Sequence, residues 1–341
     1  MSALNEHHQE LREERPIINQ KVDFLGIGAQ KAATSWLYQN LRRHPDIWMP
    51  PRKELHYFDR SPAYPSSSDL ASEHLMDRLF GREPHNKGFV NRFVRGLSRG
   101  IIEKDWNNID WTLRYFLGTY NDEWYRSLFK CDKGKVTGEI TPSYSILGLE
   151  DVKHVREMFP ELKVILILRN PIERTWSHVR FDWGHLVLDG PGQLDKIRKF
   201  IDDPNQALRG DYVRTLDIWS SCFPKEQLFI GFYDDIVERP QVVLGNICQF
   251  LGVSVFPNDR VVNRRVNVSR VQDMPKEIQL YLANKYYPEL QKLIHIQHQS
   301  GGSDCGILHR RHRARLPAKP LDAAAGVGNT PPALWQHNSP H

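Results

Sequence analysis

The sequence predicts an α/β protein: an open parallel sheet flanked by helices. Four short apolar runs, Val22–Gly28, Val136–Ile140, Val164–Leu168 and Leu228–Phe232, have the length and unbroken hydrophobicity of strands buried on both faces. Stretches with helical spacing of apolar residues lie between and after them, which is the alternation that builds such a sheet. The first and third runs each lead into a segment carrying a cation, Lys31 and Arg169, at the strand ends where sheets of this kind bind ligands.

The first run continues as Gly28-Ala29-Gln30-Lys31-Ala32-Ala33-Thr34-Ser35, a loop of small residues, and then a helix expected over Thr34–Arg43. Loop N–H groups and a helix N-terminus face an anion in this arrangement, and Lys31 adds a full positive charge. Ala32 and Ala33 let the backbone approach the anion, while Thr34 and Ser35 add hydroxyls. A nucleotide-triphosphate loop places Gly before the lysine and Ser or Thr directly after it, so that the hydroxyl ligates Mg²⁺. Here Gln30 precedes and Ala32 follows, which suits a phosphate held without a metal.

Arg52-Lys53-Glu54-Leu55-His56-Tyr57-Phe58 is a charged segment between apolar anchors. Glu54 is its candidate general base and His56 the alternative. Residues 60–119 interrupt the alternation. Their Trp106, Trp111, Tyr115 and Phe116 either contact an acceptor or form ordinary core. Further helices are expected over Asn121–Phe129, Asp151–Phe159, Ile172–Trp183, Val213–Cys222, Gln241–Leu251 and Lys276–Ile296. Arg169 directly follows a buried run, where a charge needs a partner, and its planar fork of donors suits phosphate. Pro171 fits a first helical turn, which puts Ser177 about two turns into the helix. Arg174 reads as a helix residue facing Glu173 or solvent, and Tyr212, Leu216 and Trp219 repeat at core spacing.

The formal charge of +5 is concentrated in the last forty or so residues, which leaves no electrostatic case for nucleic acid. Cys131, Cys222, Cys248 and Cys305 are scattered without metal or disulfide spacing. No apolar run has the length of a membrane span. Residues 1–20 are polar and read as a flexible segment without a signal sequence, so a cytoplasmic protein is expected. Residues 299–341, rich in Gly, Pro, Ala, Arg and His, read as a disordered basic tail. A single domain over 21–298 remains, with 60–119 as an insertion.

Gln30 to Ser35 before a helix is similar to the 5′-phosphosulfate loop of sulfotransferases that use 3′-phosphoadenosine 5′-phosphosulfate (PAPS). Val164 to Ser177 resembles that family's 3′-phosphate motif, with Arg after a strand and Ser eight residues on. Arg52 to Phe58 resembles the catalytic segment of the heparan-sulfate-type branch, which bacterial carbohydrate sulfotransferases share. The motifs occur in the family's order, and the likeness covers about residues 21–298. It implies a P-loop NTPase-like sulfotransferase fold and PAPS as co-substrate without a metal. A sulfuryl group would pass to a hydroxyl, or an amine, of a carbohydrate or small-molecule acceptor.

The resemblance also implies roles. Lys31 binds the phosphosulfate and assists catalysis, with Ala32, Ala33, Thr34 and Ser35 forming the rest of the loop. Glu54 is the base, and His56 is expected to orient it or to bind the acceptor. Arg169 and Ser177 hold the 3′-phosphate, and Arg264 and Arg265 sit where related enzymes close a basic loop over the nucleotide. One departure stands out. In Gly138-Glu139-Ile140-Thr141-Pro142-Ser143-Tyr144 the branch commonly has Lys before Thr-Pro, and Ile140 removes that cation. This weighs against a heparan-type acceptor, and Glu139, Thr141 and Tyr144 are either acceptor contacts or strand-end packing. A P-loop kinase-like phosphotransferase is disfavoured by the missing Gly-Lys-Ser/Thr. A catalytically silent scaffold binding adenosine 3′,5′-bisphosphate (PAP) draws on Ile140 and is opposed by Lys31 and Glu54.

Overall fold

β1 (Phe24–Gly28) is buried along its whole length and forms the centre of a five-stranded parallel sheet. The computed structural model describes residues 21–65, 69–131, 134–183, 192–255 and 272–299. The strand order is β2-β3-β1-β4-β5, with β2 at Ile47–Trp48, β3 at Val136–Ile140, β4 at Lys163–Leu168 and β5 at Leu228–Phe232. β1 pairs with β3 from Phe24 opposite Gly138 and with β4 from Phe24 opposite Lys163. The chain therefore leaves β1 toward one edge and later returns to its other side. Such a reversal opens a crevice at the carboxyl ends of the central strands.

All four apolar runs are strands. β2 went unread because two residues are too few to carry a pattern. Helix α1 spans Thr34–Leu41 and buries Trp36, Leu37 and Leu41, so it stops two residues before Arg43. The 60–119 interruption is itself helical, with α2 (Leu75–Phe80), α3 (Phe89–Ile102) and α4 (Trp106–Leu117). Trp111, Tyr115 and Phe116 belong to the core, whereas Trp106 is exposed. Then follow α5 (Asp122–Ser127), α6 (Leu149–Met158), α7 (Pro171–Trp183), α8 (Gln193–Asp202), α9 (Pro204–Gly210) and α10 (Tyr212–Cys222). After β5 come α11 (Tyr233–Glu238), α12 (Pro240–Leu251) and α13 (Lys276–Gln299). Sequence periodicity missed α8, α9 and α11, the last two only two turns or so long. The expected basic loop with Arg264 and Arg265, the amino-terminal segment and the basic tail lie outside the described residues.

A candidate active site at the ends of three adjacent strands

The loop after β1 is held by main-chain contacts rather than by its own side chains. The Ala29 N–H donates to the Ile167 carbonyl at 2.7 Å, tying the loop to β4. Lys31 and Ala33 take left-handed backbone angles, φ 67° and 61°, the alternation that turns successive N–H groups toward a common concavity. Ala32 is buried, Ala33 is half-buried, and Thr34 and Ser35 open α1. Gly28 precedes the loop because the turn after β3 passes close by: a Cβ there would meet the Pro142 carbonyl oxygen at 3.1 Å. The Lys31 ammonium sits 3.6 Å from the centroid of the Phe181 ring on α7. Burial pulls its pKa down to about 8; Arg169, Arg180 and Lys53 add to the lowering, and Asp182 opposes it.

Arg169 reaches the same place from β4. Its Nη1 donates to the Lys31 carbonyl at 3.0 Å, and its guanidinium carbon lies 4.1 Å from the centroid of the Tyr233 ring. The Tyr212 hydroxyl donates to the Arg169 carbonyl at 2.9 Å, so a residue expected only as core also fixes the strand end. Arg174 corrects the surface reading: its side chain is fully buried, with Nη2 donating to the Thr175 hydroxyl at 2.9 Å. Nε and Nη1 of Arg174 have no hydrogen-bond partner among the described residues, whereas Nε of Arg169 makes no hydrogen bond but lies 3.7 Å from the Glu173 carboxylate. Buried guanidinium donors left open are costly unless an acceptor completes them. Ser177, also buried, lies three residues beyond Arg174 on the same side of α7. The signal available for Arg174 was its i+5 position after Arg169, but only packing from α9 and α13 shows it to be internal.

The charged segment 52–58 is tied to the end of β3 through Leu55 and Tyr57. Glu54 and His56 both adopt left-handed backbone angles, φ 66° and 59°. Lys53 pairs with one Glu54 carboxylate oxygen, and His56 Nε2 lies 3.6 Å from the other. His56 Nδ1 lies 2.9 Å from the fully buried Asp59, giving a carboxylate–imidazole–carboxylate row. Burial alone raises the Glu54 carboxyl, but His56 and Lys53 outweigh it and hold the group at about 2. Burial alone lowers His56, yet Asp59 and Glu54 carry it up to about 10. At neutral pH the row is therefore an ionised Glu54 steadied by an imidazolium. Asp59 was missed in the sequence, although its position three residues after His56 was visible.

Glu139 holds this segment in place. The Leu55 N–H donates to it at 3.1 Å, the Thr141 hydroxyl at 2.7 Å, and the Tyr125 and Tyr144 hydroxyls at 2.7 and 2.8 Å. Leu55 also donates to the Thr141 hydroxyl, and the Tyr57 N–H donates to the Tyr144 hydroxyl at 3.0 Å. Glu139, Thr141 and Tyr144 are all buried, so they are strand-end packing and not acceptor contacts. Replacing Glu139 with Leu strands the three hydroxyl donors at once, while the Leu55 N–H keeps the Thr141 hydroxyl. Urea unfolding is expected to show a loss of about 3–5 kcal/mol, with Glu139→Gln milder; a loss below about 1 kcal/mol would mean the network is not what secures the segment. Ile140 is fully buried against β1, where a Cβ on Gly26 would meet its Cγ1 at 2.7 Å. It fills the space that Gly26 leaves.

Among the described residues no group of three His, Cys, Asp or Glu side chains is placed to hold a metal, and no helix is long and apolar enough to cross a membrane. Fold and site together define a P-loop-like α/β protein with Lys31 and Arg169 brought together at the carboxyl ends of its central strands. The model of the Sulfotransferase family matches residues 24–258, and the chain belongs to that family. It is 26% identical over 245 residues to human heparan sulfate glucosamine 3-O-sulfotransferase 6, covering 69% of this chain and 53% of that protein. It is 22% identical over 359 residues to the membrane-associated sulfotransferase kil1 of Dictyostelium discoideum, covering 80% and 64%. The chain thus spans roughly half to two thirds of these relatives' lengths. A sulfotransferase from Alicyclobacillus acidocaldarius has the same fold, with a TM-score of 0.55 at 21% identity, covering 82% of this chain and 96% of that one.

Proposed function

We propose that the chain transfers a sulfuryl group from PAPS to a hydroxyl, or an amine, of a carbohydrate or small-molecule acceptor, with Glu54 as the base. The observation that carries this reading is the contact between Arg169 and the Lys31 backbone, which brings two cationic strand ends to one crevice. Lys53, paired with Glu54, is near enough to Lys31 to lower its pKa, so the acidic row borders the same crevice. Lys31 would neutralise charge building on the phosphate oxygen as the S–O bond breaks. Arg169 and Ser177, with Arg174 behind them, would hold the 3′-phosphate, for which the open guanidinium donors are suited. Glu54 would take the acceptor's proton as its oxygen closes on sulfur.

Relatives whose names tie them to heparan sulfate include 3-O-sulfotransferases and an N-deacetylase/N-sulfotransferase. The acceptor here is proposed only as a hydroxyl or amine on a carbohydrate or small molecule, because buried Ile140 offers no charge to a polyanion. Calorimetry with PAP and AMP tests the donor. The 3′-phosphate is expected to strengthen binding by about 1.5–3 kcal/mol, roughly ten- to a hundredfold. Equal affinities would remove the case for PAPS. Tight PAP binding with no label transferred from PAPS to a broad acceptor panel would favour the silent scaffold, the reading that Ile140 supports.

A further inference from the structure

α3 and α4 form an antiparallel hairpin with a close seam. A Cβ on Gly96 would lie 2.9 Å from Thr112 and one on Gly100 2.6 Å from Ile109, while Phe89 and Phe93 pack on Phe116. Roughly a quarter-turn from that seam lie Val90, Val94 and Ile101 on α3, and Trp106, Leu113 and Leu117 on α4. The offset has the same rotational sense on each helix. Because the helices run in opposite directions, equal offsets put both stripes on one side of the hairpin. All six side chains are exposed, from 38% at Leu113 to 76% at Trp106. Their spacing is that of a helix-packing face, which solvent does not require.

We propose that this face is a homodimer interface, the hairpins of two copies packing about a two-fold axis as a four-helix bundle. The inference is independent of the donor and acceptor reading above. An occupant must be apolar and elongated like a helix pair, and the same face of a second copy meets both conditions. Asp110, within the α4 stripe, is already paired with Arg114 at 2.7 Å. The six side chains expose on the order of 600 Å² per copy, or about 1,200 Å² in a dimer, which reaches the range of stable interfaces. A bilayer is the weaker fit. Arg95 and Arg99 lie on the opposite edge of α3, whereas a membrane-bound helix uses such residues to border the buried face.

Sedimentation of the full chain at micromolar concentration is expected to give the mass of two copies. The double substitution Val94→Glu with Ile101→Glu is expected to give a monomer with unchanged circular dichroism. Leu117→Glu, on the other helix, is expected to raise the dimer Kd at least about tenfold, and Arg95→Glu is expected to leave the dimer intact. A monomeric wild type would overturn the proposal. So would a dimer that survives both the double substitution and Leu117→Glu, or a wild type that is monomeric but co-sediments with phosphatidylglycerol vesicles.

Discussion

Glu54→Gln is expected to lower kcat by about 10²–10³-fold while leaving PAP affinity within a few fold. The amide keeps the size of the side chain and can still accept from Lys53 or His56, but it cannot take a proton. The effect belongs in the lower part of the range for general bases because a carboxylate held at about 2 is a weak one. Its advantage is a constant charge state, ionised at every pH above about 3. His56→Ala separates orientation from base. Without the imidazolium, Glu54 loses its largest lowering influence, and the acid limb of kcat/KM should move from about 2 toward the ordinary carboxylate range near 4. If Glu54→Gln turns over near the wild-type rate, Glu54 is not the base.

Lys31→Met should cost more, about 10³-fold in kcat/KM, because one group both binds the donor and faces the charge that develops on its leaving oxygen. A pH signature goes with it. The groups acting on Lys31 are Asp182, Arg169, Arg180 and Lys53, and together with burial they set its pKa at about 8. The cation is present below that value and lost above it, so kcat/KM for PAPS should fall as pH rises through about 8. A bound phosphosulfate favours the charged form, so the corresponding limb in kcat should lie at higher pH. Coincident limbs, or a Lys31→Met enzyme with normal kcat/KM, would remove Lys31 from the donor site.

The parts of the site that could be read in the sequence are those contained in a short stretch of chain. Lys31 with its small-residue loop, and Glu54 with His56, are each contained in a few contiguous residues, and their residue types are visible wherever the stretch is placed. The same locality explains the strands: an unbroken apolar run of five residues announces itself. α8 and α9, the two-residue β2 and the α3–α4 hairpin were not announced. Their patterns are short, or they split the apolar face of a helix between core and surface.

By itself the sequence determined the alternating α/β plan, the small-residue loop with its lysine after β1, the cation after β4 and the charged segment with Glu54. Each depends on neighbours within a few residues, and local backbone chemistry is enough to specify it. Tertiary structure alone decided that Glu139 anchors Leu55, from which it is 84 residues distant, that Arg174 is internal, and that Ile140 fills the space over Gly26. The physical reason is common to all three. Burial and hydrogen-bond partnership at these positions depend on which distant segment comes to lie alongside. The strand order and register set that, and no pattern within the segment encodes it.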